Sequence, residues 1–597
     1  MRIGSGPGAV AAPAWPGIVA GFSVLAVFTV LLLRSFAPIE SYDFWWHLET
    51  GGQIARNGAL PVRDPFSFTV GGYPWIDHSW LFQVLIHYLH RAGRFYALGG
   101  FRLLLLSSAV LAMAIHLRRR GLSPAISSAL ILLALWGACF RSTLRPDLVS
   151  MVFTAVLLVL LIRAREGKNR AALLFAAGVM VPLWANLHIG AILAPALILP
   201  FCLERCLFRF THTAAPSSAG KEGVGSVRSS LPFWVLLGWS VLGLTLNPWG
   251  WRPFAVVLRI TKLTGQPFAR NLEWGRPEFS DFPLFYFALI GILLLPLLFR
   301  RLADPHLFLA VSLLAAMSLT SIRFVGIFFF SLPFLLAPYA VLGASAAARL
   351  PVRPWVRSAI SAAMVAILGV GLSMHVADRH RFRSDFQRPD RFPVGAVDFL
   401  ERHRVGAERL FNDVKFGGYL IWRRFPDYQV FIDGRNEVYE QLLPEIFTAM
   451  ESGNSWDRLM RKYAIDSALL RYPPNLTPVL YPGVGEETTR SDLRPFSTLY
   501  FPREKWALVY WDDAAMLFLK RTEANSAVIR ETEYSSLRPD DFRHQLQRAM
   551  GESGFRSLLH RDLARKLEEN PGCRRAARLR DLLFRLPELA VTRNVKP

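Results

Sequence analysis

The chain has 597 residues, of which 52% are hydrophobic, 13% aromatic and only 19% charged, with a mean hydropathy of +0.29. A soluble protein of this length rarely joins so much apolar residue to so little charge, which excludes an ordinary soluble enzyme. The formal net charge of +23 is in part a membrane-topology signal, so no nucleic-acid partner is expected. Membrane lipids or lipid-linked phosphates suit the charge better.

The apolar residues fall in blocks up to about residue 376. A window of roughly 19 residues predicts about eleven spans: 17–37, 98–117, 123–140, 148–162, 171–187, 189–203, 231–249, 283–299, 306–320, 325–345 and 357–376. The fifth and sixth are separated only by Asn186, Leu187 and His188, which suggests a tight helical hairpin. Basic loops set the orientation. Arg118–Arg120, then Arg163, Arg165, Lys168 and Arg170, then Arg205, Arg209, Lys221 and Arg228, then Arg300 and Arg301, and finally Arg349, Arg353 and Arg357 all fall on one side. That side is read as the cytosol. The N-terminus is then cytosolic, and the region after the last span is extracytoplasmic. The first span lacks a small-residue cleavage site after it and is not read as a signal peptide. Cys139, Cys202, Cys206 and Cys573 form no disulfide framework.

The first outward loop, 38–97, is far longer than a connector needs. It reads Ser41-Tyr42-Asp43-Phe44-Trp45-Trp46-His47-Leu48, later Asp64-Pro65-Phe66-Ser67-Phe68, then Gly72-Tyr73-Pro74-Trp75-Ile76-Asp77-His78-Ser79-Trp80. An aromatic belt accounts for the tryptophans. It does not account for Asp43, a carboxylate within a few residues of the bilayer, where such groups are costly and usually functional. On a helix, Asp43 and His47 share a face. His47, Asp64, Asp77 and His78 are equally readable as site residues or as solvated neighbours.

A long first outward loop with an aspartate just after the first helix resembles the GT-C superfamily of membrane glycosyltransferases. That superfamily includes protein O-mannosyltransferases, oligosaccharyltransferases and the transferases that add aminoarabinose to lipid A. Asp43-Phe44-Trp45-Trp46-His47-Leu48, Asp64-Pro65-Phe66-Ser67 and Pro74-Trp75-Ile76-Asp77-His78 are similar to an uncharacterised bacterial branch of it. So are Trp184-Ala185-Asn186-Leu187-His188, Gly417 to Trp422, and Phe431-Ile432-Asp433-Gly434-Arg435. The resemblance implies a polyprenyl-phosphate-linked sugar donor and a lipid, glycan or protein acceptor. It also implies the bacterial inner membrane, with Asp43 as base. The second acidic position stays open among Asp64, Asp77 and Glu273, the last in Asn271-Leu272-Glu273-Trp274-Gly275-Arg276-Pro277. Two acidic sites with His78 or His188 could hold a divalent metal ion, but the spacing matches no strong metal motif.

A phosphate leaving group is already stable as an anion, so one carboxylate to take the acceptor proton suffices. Cations then hold the phosphate. Arg102, Arg141, Arg145, Arg252, Arg259, Lys262, Arg270 and Arg323 run against the positive-inside rule. Snorkelling to headgroups is the plain account; a guanidinium clamp on a lipid phosphate is the sharper one, best for Arg145 and Arg323 in short loops. Trp46, Asn186 and His188 join them as substrate-binding candidates.

The expected fold class is an α-helical polytopic membrane domain (1–377), a small α/β extracytoplasmic domain (378–535) and a helical tail (536–597). Helices are predicted over Ala396–Arg404 and Asn454–Ala464. Strands are predicted over Tyr428–Ile432, Ile465–Arg471, Trp506–Trp511 and Met516–Lys520, the last two as a hairpin. Asp433-Gly434-Arg435 falls at a strand end and reads as a turn; the tail reads as a helical pair. No P-loop, dinucleotide fingerprint, nucleophile elbow or internal repeat stands out. A lipid or polysaccharide transporter and a non-catalytic envelope assembly protein are the alternatives to a glycosyltransferase.

The orientation can be tested directly. Reporter fusions after Arg120, Arg170 and Ser217 should report cytosol, and fusions after Ala377 and at the C-terminus should report the outside. A cytosolic C-terminus would invert the assignment.

Overall fold

The computed structural model describes residues 15–167, 169–203, 230–264, 275–299, 304–349, 351, 353–379, 388, 390–405, 409–472, 476–482 and 489–585. The chain divides into two compact units. One comprises residues 1–38, 78–257 and 270–386; the other comprises 39–77, 258–269 and 387–597. The long first loop therefore belongs with the C-terminal third of the sequence.

In the first unit, five helices among the described residues are long and apolar enough to cross a membrane, and six more apolar helices are shorter. Each overlaps one of the expected spans. Helix α1 (Trp15–Ser35) has 21 residues, which at about 1.5 Å per residue matches a hydrocarbon core of roughly 30 Å. Helix α2 (Phe44–Asn57) lies in the first loop and belongs to the second unit. Helix α3 (Trp80–Arg119) starts well before the expected span because its first turns are also helical; it breaks at Gly93 and Arg94, whose backbone angles are not helical. The bundle continues with α4 (Pro124–Gly137), α5 (Pro146–Glu166), α6 (Arg170–Leu187), α7 (Leu193–Cys202) and α8 (Leu231–Gly243). After α9 (Arg252–Thr264) come α10 (Pro283–Leu298), α11 (Pro305–Thr320), α12 (Val325–Arg349) and α13 (Pro354–Arg379). Local signals set several boundaries. Ser123 accepts from Ile126 N–H with Pro124 in the first turn, and Asp304 accepts from Leu307 N–H with Pro305 in the first turn.

One end of the bundle is laced by ion pairs. Arg119 reaches Glu166 at 3.5 Å, and Arg120 and Arg165 reach Asp304 at 3.9 and 3.4 Å. These residues come from three loops that the basic-loop pattern assigns to one side, so the predicted phase of the helices holds there.

The second unit is built on a four-stranded sheet of β1 (Leu410–Asn412), β2 (Ser467–Arg471), β5 (Trp506–Trp511) and β6 (Ala515–Lys520), in the order β1-β2-β6-β5. The β1–β2 pair is parallel and the others antiparallel; β3 (Leu476–Pro482) and β4 (Thr489–Pro495) form a separate antiparallel pair. Helices α14 (Val394–His403), α15 (Val414–Arg424), α16 (Leu442–Ala449) and α17 (Gly453–Lys462) precede the hairpin, with α18 (Phe496–Tyr500) before β5 and α19 (Ser526–Thr532) after β6. Apolar burial is dense on the sheet: Leu469, Leu508, Leu517, Phe518 and Leu519 are all buried. The tail holds three helices rather than a pair: α20 (Phe542–Gly551), α21 (Ser553–Glu569) and α22 (Arg574–Phe584).

The expected strand over Tyr428–Ile432 is not in the sheet. Its backbone pairs with the first loop: Val430 N–H donates to Phe66 at 2.9 Å and Phe68 N–H donates to Val430 at 3.1 Å. Asn412 satisfies what remains, accepting from Phe431 N–H at 2.9 Å and donating to the Ile432 carbonyl at 2.7 Å. Buried backbone groups need partners, and this segment finds them outside the ladder.

Helices α2 and α15 cross closely because Gly418 carries no side chain. A Cβ there would lie 2.6 Å from the Tyr42 carbonyl oxygen, a backbone atom that cannot swing away. Gly418→Ala should therefore destabilise the chain despite a helix-propensity gain of up to ~1 kcal/mol, since overpacking of this kind costs about 1–3 kcal/mol. Gly554, on α21, meets nothing within 4 Å, so Gly554→Ala serves as the control. The readout is the melting temperature of the purified chain in detergent, expected to fall for Gly418→Ala and not for Gly554→Ala.

Candidate active site

The predicted site residues sort into two groups, one in each unit. In the second unit, Asp43 occupies the position just before α2, and its side chain makes no capping hydrogen bond to the helix. Its carboxylate is half-buried, while Phe44, Trp45, Trp46, His47 and Leu48 behind it are buried. Across from it lies Gly434: a Cβ on Gly434 would collide with Asp43 Oδ1. The Asp-Gly step thus gives the Asp43 carboxylate its room.

Directly beneath is a fully enclosed ion network. The Arg435 Nη2 lies 2.8 Å from Asp64 Oδ1 and 2.6 Å from Asp433 Oδ2, and all three side chains are completely buried. Arg435 N–H donates to Asp433 Oδ1 at 2.9 Å, so the segment is a local turn as expected and also half of a long-range ion pair. Tyr439 donates to Asp433 Oδ2 at 2.6 Å. Phe66 N–H, Ser67 N–H and the Ser67 hydroxyl donate to Asp64. The guanidinium sits 4.6 Å from the Trp75 ring and 4.8 Å from the Phe66 ring. Burial works to lower the Arg435 pKa, but Asp433 and Asp64 outweigh it and hold the group well above its ordinary range.

This network corrects two expectations. Asp64 is sealed against Arg435 and cannot meet an acceptor hydroxyl. Trp46 is buried beside Arg435 and Trp75 and presents no open ring face for a substrate. His47 stacks against Trp46 and is buried, and Asp77 is buried as well. Glu273 lies outside the described residues. Two carboxylates are missing from the sequence analysis: Asp147, in the first unit, and Glu437, which accepts a hydrogen bond from Trp75 and whose pKa burial pushes up. The position of Glu437 two residues after Arg435 was the available signal.

In the first unit, four inter-helix loops bring polar groups together: His78 before α3, Arg141 and Asp147 around the start of α5, His188 after α6, and Arg323 before α12. The His78 and His188 rings stand 6.4 Å apart, edge to face. Arg141 forms a close ion pair with Asp147, and Arg145 Nε lies 3.7 Å from the same carboxylate. His188 Nδ1 accepts from Gly190 N–H at 3.1 Å and contacts Ser150 Oγ at 2.6 Å. Because Ser150 Oγ also accepts from Trp184 Nε1 at 2.7 Å, its own proton points to His188 Nδ1, and the imidazole proton resides on Nε2. Gly190 is required here, since a Cβ would overlap both Ser150 Oγ and His188 Nδ1.

Asn186 is fully engaged in structure. It donates to the Pro182 and Leu246 carbonyls and accepts from Trp80 Nε1, which corrects its expected role as a substrate ligand. Arg102 is buried and donates to the Ser142 carbonyl at 2.8 Å, so it neither snorkels nor faces a phosphate. Among the described residues, no three His, Cys, Asp or Glu side chains converge as a metal donor set. The steps derived below run on the chain's own residues.

Burial, and then the charge of Arg323, holds the His78 pKa down to about 4; burial holds His188 down to about 3. Both imidazoles are therefore neutral at pH 7. The folded pKa values lie below the unfolded value, so their contribution to stability is complete above about pH 6.5 and is lost as pH falls toward 4. Between pH 7 and 5, where most carboxylates remain ionised, wild-type melting temperature in detergent should fall more steeply than that of His78→Gln/His188→Gln. Equal slopes would remove the histidines from the acid-sensitive set.

No protein-family model matches the chain, and no curated protein matches it. Solved structures do. Archaeal oligosaccharyltransferase AglB from Archaeoglobus fulgidus, in complex with an inhibitory peptide and a dolichol-phosphate, superposes with a TM-score of 0.55 at 11% identity, covering 90% of this chain and 83% of that one. The oligosaccharyltransferase of the same organism in complex with zinc and sulfate gives 0.53 at 12% identity, covering 92% and 86%. With its bundle of apolar helices, its small mixed sheet and these neighbours, the chain has a GT-C-like fold.

Proposed function

We propose that the chain is a membrane glycosyltransferase that moves a sugar from a polyprenyl-phosphate-linked donor to an acceptor hydroxyl on the extracytoplasmic face of the bacterial inner membrane. The observation that carries this reading is Asp43, a half-buried carboxylate that directly follows the first span in a chain of this fold. A neighbour of the same fold is held in complex with a dolichol-phosphate, a lipid phosphate of the kind the reaction requires.

The reaction needs one new bond and one broken bond. The acceptor oxygen attacks the anomeric carbon, the carbon–oxygen bond to phosphate breaks, and the phosphate departs with the bonding pair. The acceptor proton passes to the Asp43 carboxylate, which acts as general base. Trp45 and Trp46, buried behind it, limit water on that side. Gly434 keeps the carboxylate from being displaced, and Asp433–Arg435–Asp64 fixes the position of Gly434. Asp43 is the catalytic residue in this reading; Gly434 and Arg435 are positioning residues.

Phosphate recognition falls to the bundle cluster. Among the described residues, Arg141 and Arg145 meet Asp147, and Arg323 lies in the same cluster beside His78. Neutral His78 and His188 add hydrogen-bonding capacity without adding charge. Guanidinium groups suit this role because their fork matches two phosphate oxygens.

Asp43→Asn keeps the shape and removes the basicity. Expression and membrane insertion should be normal, with transfer reduced at least ~100-fold, the low end for removing a general base. Complementation of a knockout followed by envelope glycan analysis reads the outcome. Wild-type glycan with Asp43→Asn would defeat the assignment and move attention to Asp77 or Glu273.

A further inference from the structure

The helical tail contains a cavity that the transfer reaction does not use. It is an open cavity with a volume of about 860 Å³, lined by Asp390, Asp513, the residue after β2, the segment leading into α20, and α20 and α22 themselves. Its walls differ in character. Leu546, Leu579 and Leu582 make one apolar; four arginines crowd the other.

Those arginines are not equivalent. Arg574 is satisfied, with Nη2 3.0 Å from Asp390 and Nε 3.7 Å from Asp513. Asp513 is further engaged by the backbone N–H groups of Arg574 and Arg575. Among the described residues, Arg543, Arg575 and Arg578 make no ion pair. Arg575 is the telling one: its guanidinium lies against the Tyr472 ring, and its buried Nη1 has no hydrogen-bond partner. Burial, and next the neighbouring Arg578, pull its pKa down to about 9.

The last carboxylate on the wall is Asp540. It accepts from the Ser497 hydroxyl through one oxygen, while the other is buried without a partner. Over the whole wall, four guanidiniums against Asp390, Asp513 and Asp540 leave an excess of one positive charge, and three of the four make no ion pair among the described residues. A solvated arginine face would explain Arg543 and Arg578, which are exposed. It does not explain the buried Arg575 Nη1, which has no hydrogen-bond acceptor. A carboxylate ligand offers only two oxygens, whereas a phosphate group offers oxygens to several forks at once and carries more charge, about −1.5 to −2 at pH 7.

We propose that this cavity binds a phosphate-bearing ligand, with its phosphate on Arg543, Arg575 and Arg578 and its apolar body against Leu546, Leu579 and Leu582. The proposal is independent of the role assigned to Asp43. The ligand is either a soluble phosphate compound or a lipid headgroup, and the experiment separates the two.

The purified full-length chain in zwitterionic detergent is titrated calorimetrically with inorganic pyrophosphate and with dihexanoyl phosphatidic acid, using dihexanoyl phosphatidylcholine as the chain-length control. Wild type should bind at least one of the first two and not the control. Arg543→Gln/Arg578→Gln removes two exposed side chains without touching the core, and should weaken binding roughly 10-fold or more at an unchanged melting temperature, as expected for lost hydrogen bonds to a charged group. Arg575→Gln should weaken it again. Phosphate held by Arg141, Arg145 and Arg323 would survive both substitutions, which separates this cavity from the bundle cluster. Tighter binding of phosphatidic acid than of pyrophosphate identifies a lipid headgroup; the reverse identifies a soluble phosphate. No binding of either probe by wild type, or an unchanged Kd in the double variant, overturns the proposal.

Discussion

The second unit depends on one buried cation. Arg435 holds Asp64 from the first loop and Asp433 from its own turn, with no solvent access to any of the three side chains. Removing such groups from water is expensive, and pairing compensates only when the geometry is good and the remaining lone pairs are satisfied. On the carboxylates they are: Tyr439 and the Arg435 N–H serve Asp433, and Phe66, Ser67 and the Ser67 hydroxyl serve Asp64, while Arg435 Nη1 is left buried among aromatic rings without an acceptor. A hydrophobic replacement of equal volume could match the stability. It could not specify the same register, because the fork of a guanidinium accepts only one arrangement of two carboxylates. Register is what matters here. It places Gly434 against Asp43 and pairs Val430 with the first loop.

The helical blocks were legible because each contains enough consecutive apolar residues to show through any window, and because Ser123-Pro124 and Asp304-Pro305 mark their starts by capping chemistry. Strands β2, β5 and β6 were legible for a similar reason: short β-rich runs with turn residues between them. Tyr428–Ile432 has the same composition and was misplaced. Composition reports that a segment is extended and buried, not which partner satisfies its backbone, and Pro65 lies 364 residues from the Gln429 it accepts from. The role of Arg435 was hidden by the same distance. Asp-Gly is a strong local turn signal, and the turn is real, but nothing local indicates that Asp64 completes the pair. Asp43 stands out in the sequence as a candidate because a carboxylate beside a span is conspicuous whatever its partners.

Arginines on the outward side looked like phosphate ligands as a class, and the structure divides them. Arg34 donates to Ser142 Oγ at 2.7 Å and to the Cys139 carbonyl at 2.8 Å, while Arg102 donates to the Ser142 carbonyl. Both are buried, and both hold the short turn Cys139–Arg141 that carries Arg141. Their positive charge serves to satisfy carbonyls that would otherwise be stranded at a helix end within the membrane region. Arg141, Arg145 and Arg323 form a second layer, around Asp147 and the two histidines. A sequence reading cannot separate the two layers, since both consist of arginine in a short loop.

The histidine pair then constrains what the bundle cluster can recognise. Were His78 and His188 protonated, the cluster would gain two positive charges, and its charge would change with pH. Burial keeps both neutral, and the hydrogen bonds to His188 Nδ1 fix its proton on Nε2. Neutral histidines leave the arginines, which do not titrate, and Asp147 as the charged groups of the cluster among the described residues. Neutral imidazoles contribute direction: a single N–H donor at a fixed height can discriminate among oxygens that a guanidinium treats alike. On the proposed reading, this combination suits a lipid-linked phosphodiester, whose charge is constant near neutral pH and whose sugar must be held in one orientation for attack at a single carbon.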